Sequence, residues 1–231
     1  MGADSVLTLI RHAQAEHNVN LDYSIPDARL TELGRRQAAT IPSFTQHLQP
    51  DIELIASSGL RRCLSTTKLG LSPALSRLGG PKTVVVLPQL QECNDFPCDA
   101  GSDRAQLEQD DEFGDFDLQL LEPGWNAKQG VYAPDPASLR ARAQWVRQWL
   151  RSRPEKHIAV VAHGDILRYI MSTEQQHSDY VSGLSVSSMS SQTPSLLTAC
   201  RLPGLAKRRG APVPLRAKPR PHRRVPHRSR K

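Results

Sequence analysis

Residues 7–18 read LTLIRHAQAEHN, a short apolar run that stops at an arginine and a histidine. Without charge, and built from Leu, Thr and Ile, the run reads as a strand buried on both faces, as inside a parallel sheet. Working outward, the same grammar recurs at residues 52–56, 83–87 and 158–162, each short and rich in Val, Ile and Leu. Helical patterns lie between them: residues 31–48, opened by the cap-like pair Thr31-Glu32, residues 61–78, and residues 138–151 with Trp145, Trp149 and Leu150 on helical spacing. Strands alternating with helices predict an α/β fold, a three-layer αβα sandwich with a mostly parallel sheet. Residues 91–135 break the pattern with acidic, Gly and Pro positions, and read as a long excursion able to cover a site.

A chain of 231 residues suits one domain with an appendage. Its net charge of +7 is unevenly placed: residues 172–231 hold 12 Lys and Arg against 2 Asp and Glu, leaving 18 against 21 in residues 1–171. The folded domain is therefore expected over residues 1–171. Residues 172–231 are expected to be a disordered tail, Ser-rich and then basic, because a stretch whose only aromatic is Tyr180 cannot build a core. The Lys-Arg-Arg run at residues 207–209 reads first as a solvated charge run, and in second place as a nuclear signal or a contact to nucleic acid. Cys63, Cys93, Cys98 and Cys200 are too few for a disulfide scaffold and lack zinc-finger spacing, so reduced structural thiols are expected. Neither a signal-peptide pattern nor a membrane-length apolar segment is present, which predicts a soluble cytoplasmic protein.

In an open parallel sheet, ligands bind beyond the carboxyl ends of the strands, which is where Arg11 and His12 fall. The run HIAVVAHGDILRYI ends in the same way at His163-Gly164; IELIASSGLRRC delivers Ser57, Ser58, Arg61 and Arg62; TVVVLPQLQEC leads to Glu92. Two imidazoles, several guanidiniums and a carboxylate at one sheet edge suit phosphoryl transfer. Arginine forks meet phosphate oxygens in pairs, a neutral imidazole serves as nucleophile, and a carboxylic acid protonates the departing alkoxide.

At these residues the sequence resembles the histidine phosphatase superfamily, in its phosphoglycerate-mutase-like branch. RHAQAEHN resembles the RHG-type signature, SSGLRRCLSTT the S-x-L-x-R element, and LQE and VVAHGD the acid-bearing loop and the second histidine, in family order over roughly residues 5–170. The resemblance implies His12 as nucleophile, Arg11, Arg62 and His163 as the phosphate pocket, Asn18 as a further phosphate contact, Glu92 as proton donor, and neither metal nor organic cofactor. A small phosphorylated substrate is expected; the lack of a membrane-length apolar segment predicts no membrane partner, and the charge distribution leaves nucleic acid to be met only through the basic tail.

Several positions depart from the family pattern. Ala13 stands where the signature has glycine, which requires a negative φ or some strain, and Gln14 replaces the glutamate that often follows. The RHGxRxP signature of the acid phosphatases and phytases is absent, as are the tryptophan-bearing segments of true mutases, so hydrolysis is favoured over mutase chemistry. The residues 97–103, PCDAGSD, together with RHAQ most resemble fungal phosphoglycerate mutase family proteins. The family resemblance also implies further chain packed on the sheet after the second histidine's helix, where this sequence turns Ser-rich and then basic. A catalytically impaired domain whose tail binds an anionic partner is the alternative from another class. Arg61 is assigned to the surface of its helix, Trp145 and Trp149 to the core, and Trp125 to anchoring the excursion; His17, His47 and His157 receive no functional role.

Overall fold

The structure, a computed structural model, describes residues 6–172 and 197–201. Strands β1 (Val6–Arg11), β2 (Leu54–Ser57), β3 (Val85–Val86), β4 (His157–Ala162) and β5 (Leu197–Arg201) form one sheet in the order β3-β2-β4-β1-β5. The first four run parallel, and β5 lies antiparallel against β1. Alternation along the strands gives each face its own core. Ile10, Ile55, Ala159 and Val161 point to one face; Leu7, Leu9, Ile158 and Val160 point to the other.

Helices α1 (Glu16–Val19), α2 (Glu32–Phe44), α3 (Arg61–Gly70), α4 (Ser72–Leu78), α5 (Arg104–Glu108), α6 (Pro136–Ser152) and α7 (Gly164–Met171) cover the sheet. The first face is closed by Ile41 of α2, Leu64 of α3 and Leu75 of α4, and the second by Val146 and Trp149 of α6 with Ile166 and Ile170 of α7. The expected three-layer α/β sandwich is present. Thr31 caps α2 by accepting from the Gly34 N–H, and Asp135 caps α6 by accepting from the Ala137 and Ser138 N–H groups.

Some elements differ from the sequence reading. Residues 61–78 form two helices because the chain breaks at Leu71 and restarts with Pro73, which has no N–H to continue a helix. The strand expected at 83–87 shrinks to Val85–Val86 between turns begun by Pro81 and Pro88. The excursion is no open lid: Phe113, Phe116, Leu118, Leu121 and Trp125 are buried in the first-face core. Trp125 does anchor it, as expected, since a Cβ on Gly101 would lie 2.2 Å from its ring. Ion pairs of Arg35 with Glu112 (2.6 Å) and of Lys68 with Asp115 (2.9 Å), and a close pair of Arg29 with Asp110, fasten the same segment onto the helices beneath.

The expectation of a structureless tail over residues 172–231 needs correcting at one place. Leu197–Arg201 pairs with residues Val6 to Ile10 of β1, whose outer edge would otherwise leave a row of backbone groups unpaired. Backbone pairing depends little on composition, which is why a biased segment supplies a strand. The Lys-Arg-Arg run at 207–209 lies outside the described residues. Cys63, Cys93 and Cys98 are free and buried. Ala13 is not among the described non-glycine residues with positive φ, which are Leu21, Asp27 and Lys128, so the first loop takes alanine without strain.

Candidate active site

The backbone ladder of β1 runs one residue past the strand: the His12 N–H donates to the Ala162 carbonyl at 2.9 Å. The next N–H, that of Ala13, donates to Thr66 Oγ1 of α3 at 3.1 Å, fixing the turn. His12 is 4% exposed, and its Nδ1 lies 2.8 Å from the Ala13 carbonyl oxygen. A carbonyl only accepts, so Nδ1 carries the proton and Nε2 keeps its lone pair. Burial first, then the positive charges of Arg62 and Arg11, hold the ring well below the usual imidazole range. The imidazole is neutral at physiological pH.

Arg62, on the first turn of α3, is 1% exposed. Its Nη2 pairs with Asp99 Oδ1 at 2.9 Å, its Nη1 donates to the Cys98 carbonyl, and its Nε donates to His163 Nδ1 at 3.2 Å. Because arginine only donates, His163 Nδ1 is the acceptor; Nε2 bears the proton and donates to Ser58 Oγ at 2.9 Å. His163 is fully buried, its ring centroid is 5.1 Å from that of His12, and burial followed by Arg62 keeps it neutral too. Arg11 is exposed at the strand end, and its Nε would lie 3.6 Å from a Cβ placed on Gly164.

Glu92 reaches the amino end of α7, where Oε1 accepts from the Ile166 N–H at 3.2 Å and Oε2 from the Asp165 N–H at 3.4 Å. Burial, then the charges of Asp165 and Asp99, push its pKa above the usual carboxyl range despite the N–H of Cys93. The backbone carbonyl of Glu92 accepts from Lys128 Nζ at 2.8 Å and from Arg142 Nη2 at 3.2 Å. Asn18 is turned inward, with Oδ1 accepting from the Ala15 N–H at 3.0 Å and Nδ2 donating to His17 Nε2 at 2.9 Å.

Of the residues singled out in the sequence, His12, Arg62 and His163 form one cluster, with Glu92 at the neighbouring helix terminus and Arg11 at the exposed edge. Arg61 belongs to another set, 3.8 Å from both Asp27 and Asp110. Three residues escaped the sequence reading. His17 was given no role, yet it is 5% exposed and its ring lies 6.0 Å from that of His12. Since Asn18 donates to its Nε2, the His17 proton sits on Nδ1, which is buried without an acceptor among the described residues. Asp99 carried one usable signal, an acid in the PCD turn of a segment facing surplus arginine. Lys128 carried none, because its approach to Glu92 depends on the path of the excursion. No group of three or more His, Cys, Asp or Glu able to hold a metal occurs among the described residues, and no helix among them is long and apolar enough to cross a membrane.

Comparison with known proteins places the chain in a family. The family described as histidine phosphatase superfamily (branch 1) matches residues 7–182. A Schizosaccharomyces pombe protein named "Probable phosphatase" is 31% identical over 169 residues, covering 72% of this chain and 77% of that one. An Arabidopsis thaliana phosphoglycerate mutase-like protein is 27% identical, covering 71% and 73%. Among solved structures, a mycobacterial glucosyl-3-phosphoglycerate phosphatase is 25% identical with a TM-score of 0.43, covering 72% of this chain and 79% of that one.

Proposed function

Since the chain belongs to the histidine phosphatase superfamily, we propose that it hydrolyses the phosphate monoester of a small metabolite through a phosphohistidine on His12. The observation that carries the reading is the hydrogen bond from Nδ1 to the Ala13 carbonyl, which leaves Nε2 as an unprotonated nucleophile in a neutral ring. The phosphatase name of the S. pombe relative favours water over a second substrate hydroxyl as the final acceptor.

In the first step His12 Nε2 attacks phosphorus in line and the ester P–O bond breaks. Glu92 gives its proton to the leaving oxygen, a task suited to a carboxyl whose pKa is raised. In the second step water attacks phosphorus, Glu92 takes a proton from it, and the P–N bond returns its electron pair to Nε2. Arg62, His163 and Arg11 supply the fixed positive charge and N–H donors for the transferring oxygens. Proton transfer and charge neutralisation are both assigned to protein side chains, so the proposed reaction is independent of metal.

The test is phosphate release from an aryl phosphate by the full chain and by His12→Ala, with and without EDTA. An active wild type insensitive to EDTA, an inactive variant, and an acid-labile phosphoprotein trapped only in the wild type are the expected results. Equal rates in the two proteins refute the nucleophile assignment.

A further inference from the structure

The cluster around His12 does not absorb two buried cations beside Glu92. Lys128 and Arg142 are 8% and 4% exposed. Both donate to a single oxygen, the Glu92 carbonyl, at 2.8 and 3.2 Å, so Lys128 Nζ and Arg142 Nη2 are no more than 6.0 Å apart. Neither forms an ion pair with a carboxylate among the described residues. Arg142 Nε and Nη1 are buried without a hydrogen-bond partner there, and Lys128 uses one of its three N–H groups. Burying two like charges side by side is costly unless an anion joins them. Burial and the neighbouring guanidinium accordingly pull the Lys128 ammonium down to about 8.

The nearby carboxylates offset this charge only in part. Glu92 is the residue assigned to protonate the leaving group, and while it holds that proton it is neutral. At that stage Arg142 loses its carboxylate counter-charge, and Lys128 keeps only Asp99, which is itself paired with Arg62. Lys128 is also near enough to His163 for its charge to help keep that ring neutral, which puts this cation beside the phosphate cluster.

Resting on the hydrolase reading above, we propose that Lys128 and Arg142 form a second anion-binding subsite, which selects phosphate monoesters whose leaving group carries a further negative charge, a carboxylate or a second phosphate. Lys128 reaches the site from the excursion on a backbone with φ of 51°, so this segment supplies the specificity cation. Arg142 comes from α6, a rigid helix, and fixes the far wall.

The test compares three substrates with one carbon chain: propyl phosphate, the phosphate ester of 3-hydroxypropanoate, and propane-1,3-diyl bisphosphate. Wild type should prefer one or both charged leaving groups by about ten- to hundredfold in kcat/KM, the range of a charge-assisted hydrogen bond. The better of the two identifies carboxylate or phosphate as the preferred anion. Lys128→Met should collapse that ratio and Lys128→Arg should keep it. A wild-type ratio near one, or a ratio unchanged in Lys128→Met, overturns the subsite. Dissociation constants for the same three compounds on His12→Ala give a readout that needs no turnover. A preference there, in a protein whose wild type releases no phosphate, sustains the subsite while refuting the hydrolase. Equal dissociation constants on His12→Ala overturn the subsite whatever the activity.

Discussion

Asp99→Asn is the perturbation that separates the two uses of Arg62. In the structure the donors a phosphoryl group would need are taken up by protein acceptors: Asp99 Oδ1 at 2.9 Å, the Cys98 carbonyl and His163 Nδ1 at 3.2 Å. The Asp99 and Arg62 side chains are 6% and 1% exposed, so this is a buried ion pair. Removing one partner of such a pair costs about 3–5 kcal/mol, and the amide, which still accepts a hydrogen bond, places the loss near 3. At about 2–4 °C per kcal/mol for a domain of this size, Tm should fall by roughly 6–12 °C. Inorganic phosphate should reverse the order. In the wild type it competes with Asp99 for Arg62 and is repelled by it, whereas in the variant it supplies the missing charge. The phosphate Kd should tighten about tenfold or more, and at 100 times its Kd the anion adds about 2.7 kcal/mol to the variant's stability. Differential scanning fluorimetry across a phosphate titration reads both effects. An unchanged Tm in the absence of phosphate, or a phosphate shift smaller in the variant than in the wild type, refutes this account and makes Asp99 a support that phosphate binding requires.

Glu92→Gln should slow hydrolysis of alkyl phosphates by about 10²–10⁴-fold while barely affecting an aryl phosphate with an acidic leaving group, as measured by steady-state rates on both. The same carboxyl must be protonated for the first step, so wild-type kcat for alkyl phosphates should fall as pH rises through its raised pKa; a flat basic limb contradicts the assignment. His17 titrates near 6.5 in the unfolded chain and about 4 in the folded one, where burial and the charges of Arg62 and Arg11 oppose protonation. The unfolded state therefore binds more protons between those values, and stability falls as pH drops from 6.5 to 4. Tm measured across that window should decline less steeply for His17→Phe. Gly101→Ala would place a Cβ 2.2 Å from Trp125, so it should lower Tm and expose the excursion to protease; a protected, equally stable variant would contradict the packing.

The sequence spoke most clearly where the physics is local. Apolar runs buried on both faces located β1 and β4, and a polar residue directly after each placed His12 and His163 at one sheet edge, because parallel strands share an exit side. It was silent where placement depends on long-range paths. Lys128 meets Glu92 across 36 positions and Asp99 meets Arg62 across 37, and in both cases one partner sits in irregular chain of the excursion, whose path no local pattern reports. The position of His17 was hidden for a different reason: five positions after His12 it looked like a loop residue, and the turn of α1 folds it back beside the strand end. The edge strand β5 was hidden in a Ser-rich and basic stretch, since composition reports on core building and not on backbone pairing.

What the arrangement accomplishes chemically is a sorting of protonation states by burial and neighbouring charge. Arg62, near both histidines, opposes a proton on either ring, and the single carbonyl beside His12 then decides which nitrogen keeps its lone pair. At Glu92 burial first, and then the like charges of Asp165 and Asp99, favour the protonated carboxyl. Within one site, burial and Arg62 therefore disfavour a proton on His12, while burial, Asp165 and Asp99 favour one on Glu92. This division requires Asp99 to face both groups, pairing with Arg62 while repelling an ionised Glu92. If phosphate draws Arg62 away from Asp99, the freed carboxylate opposes ionisation of Glu92 more strongly, the direction that the proton-donor role proposed for Glu92 requires.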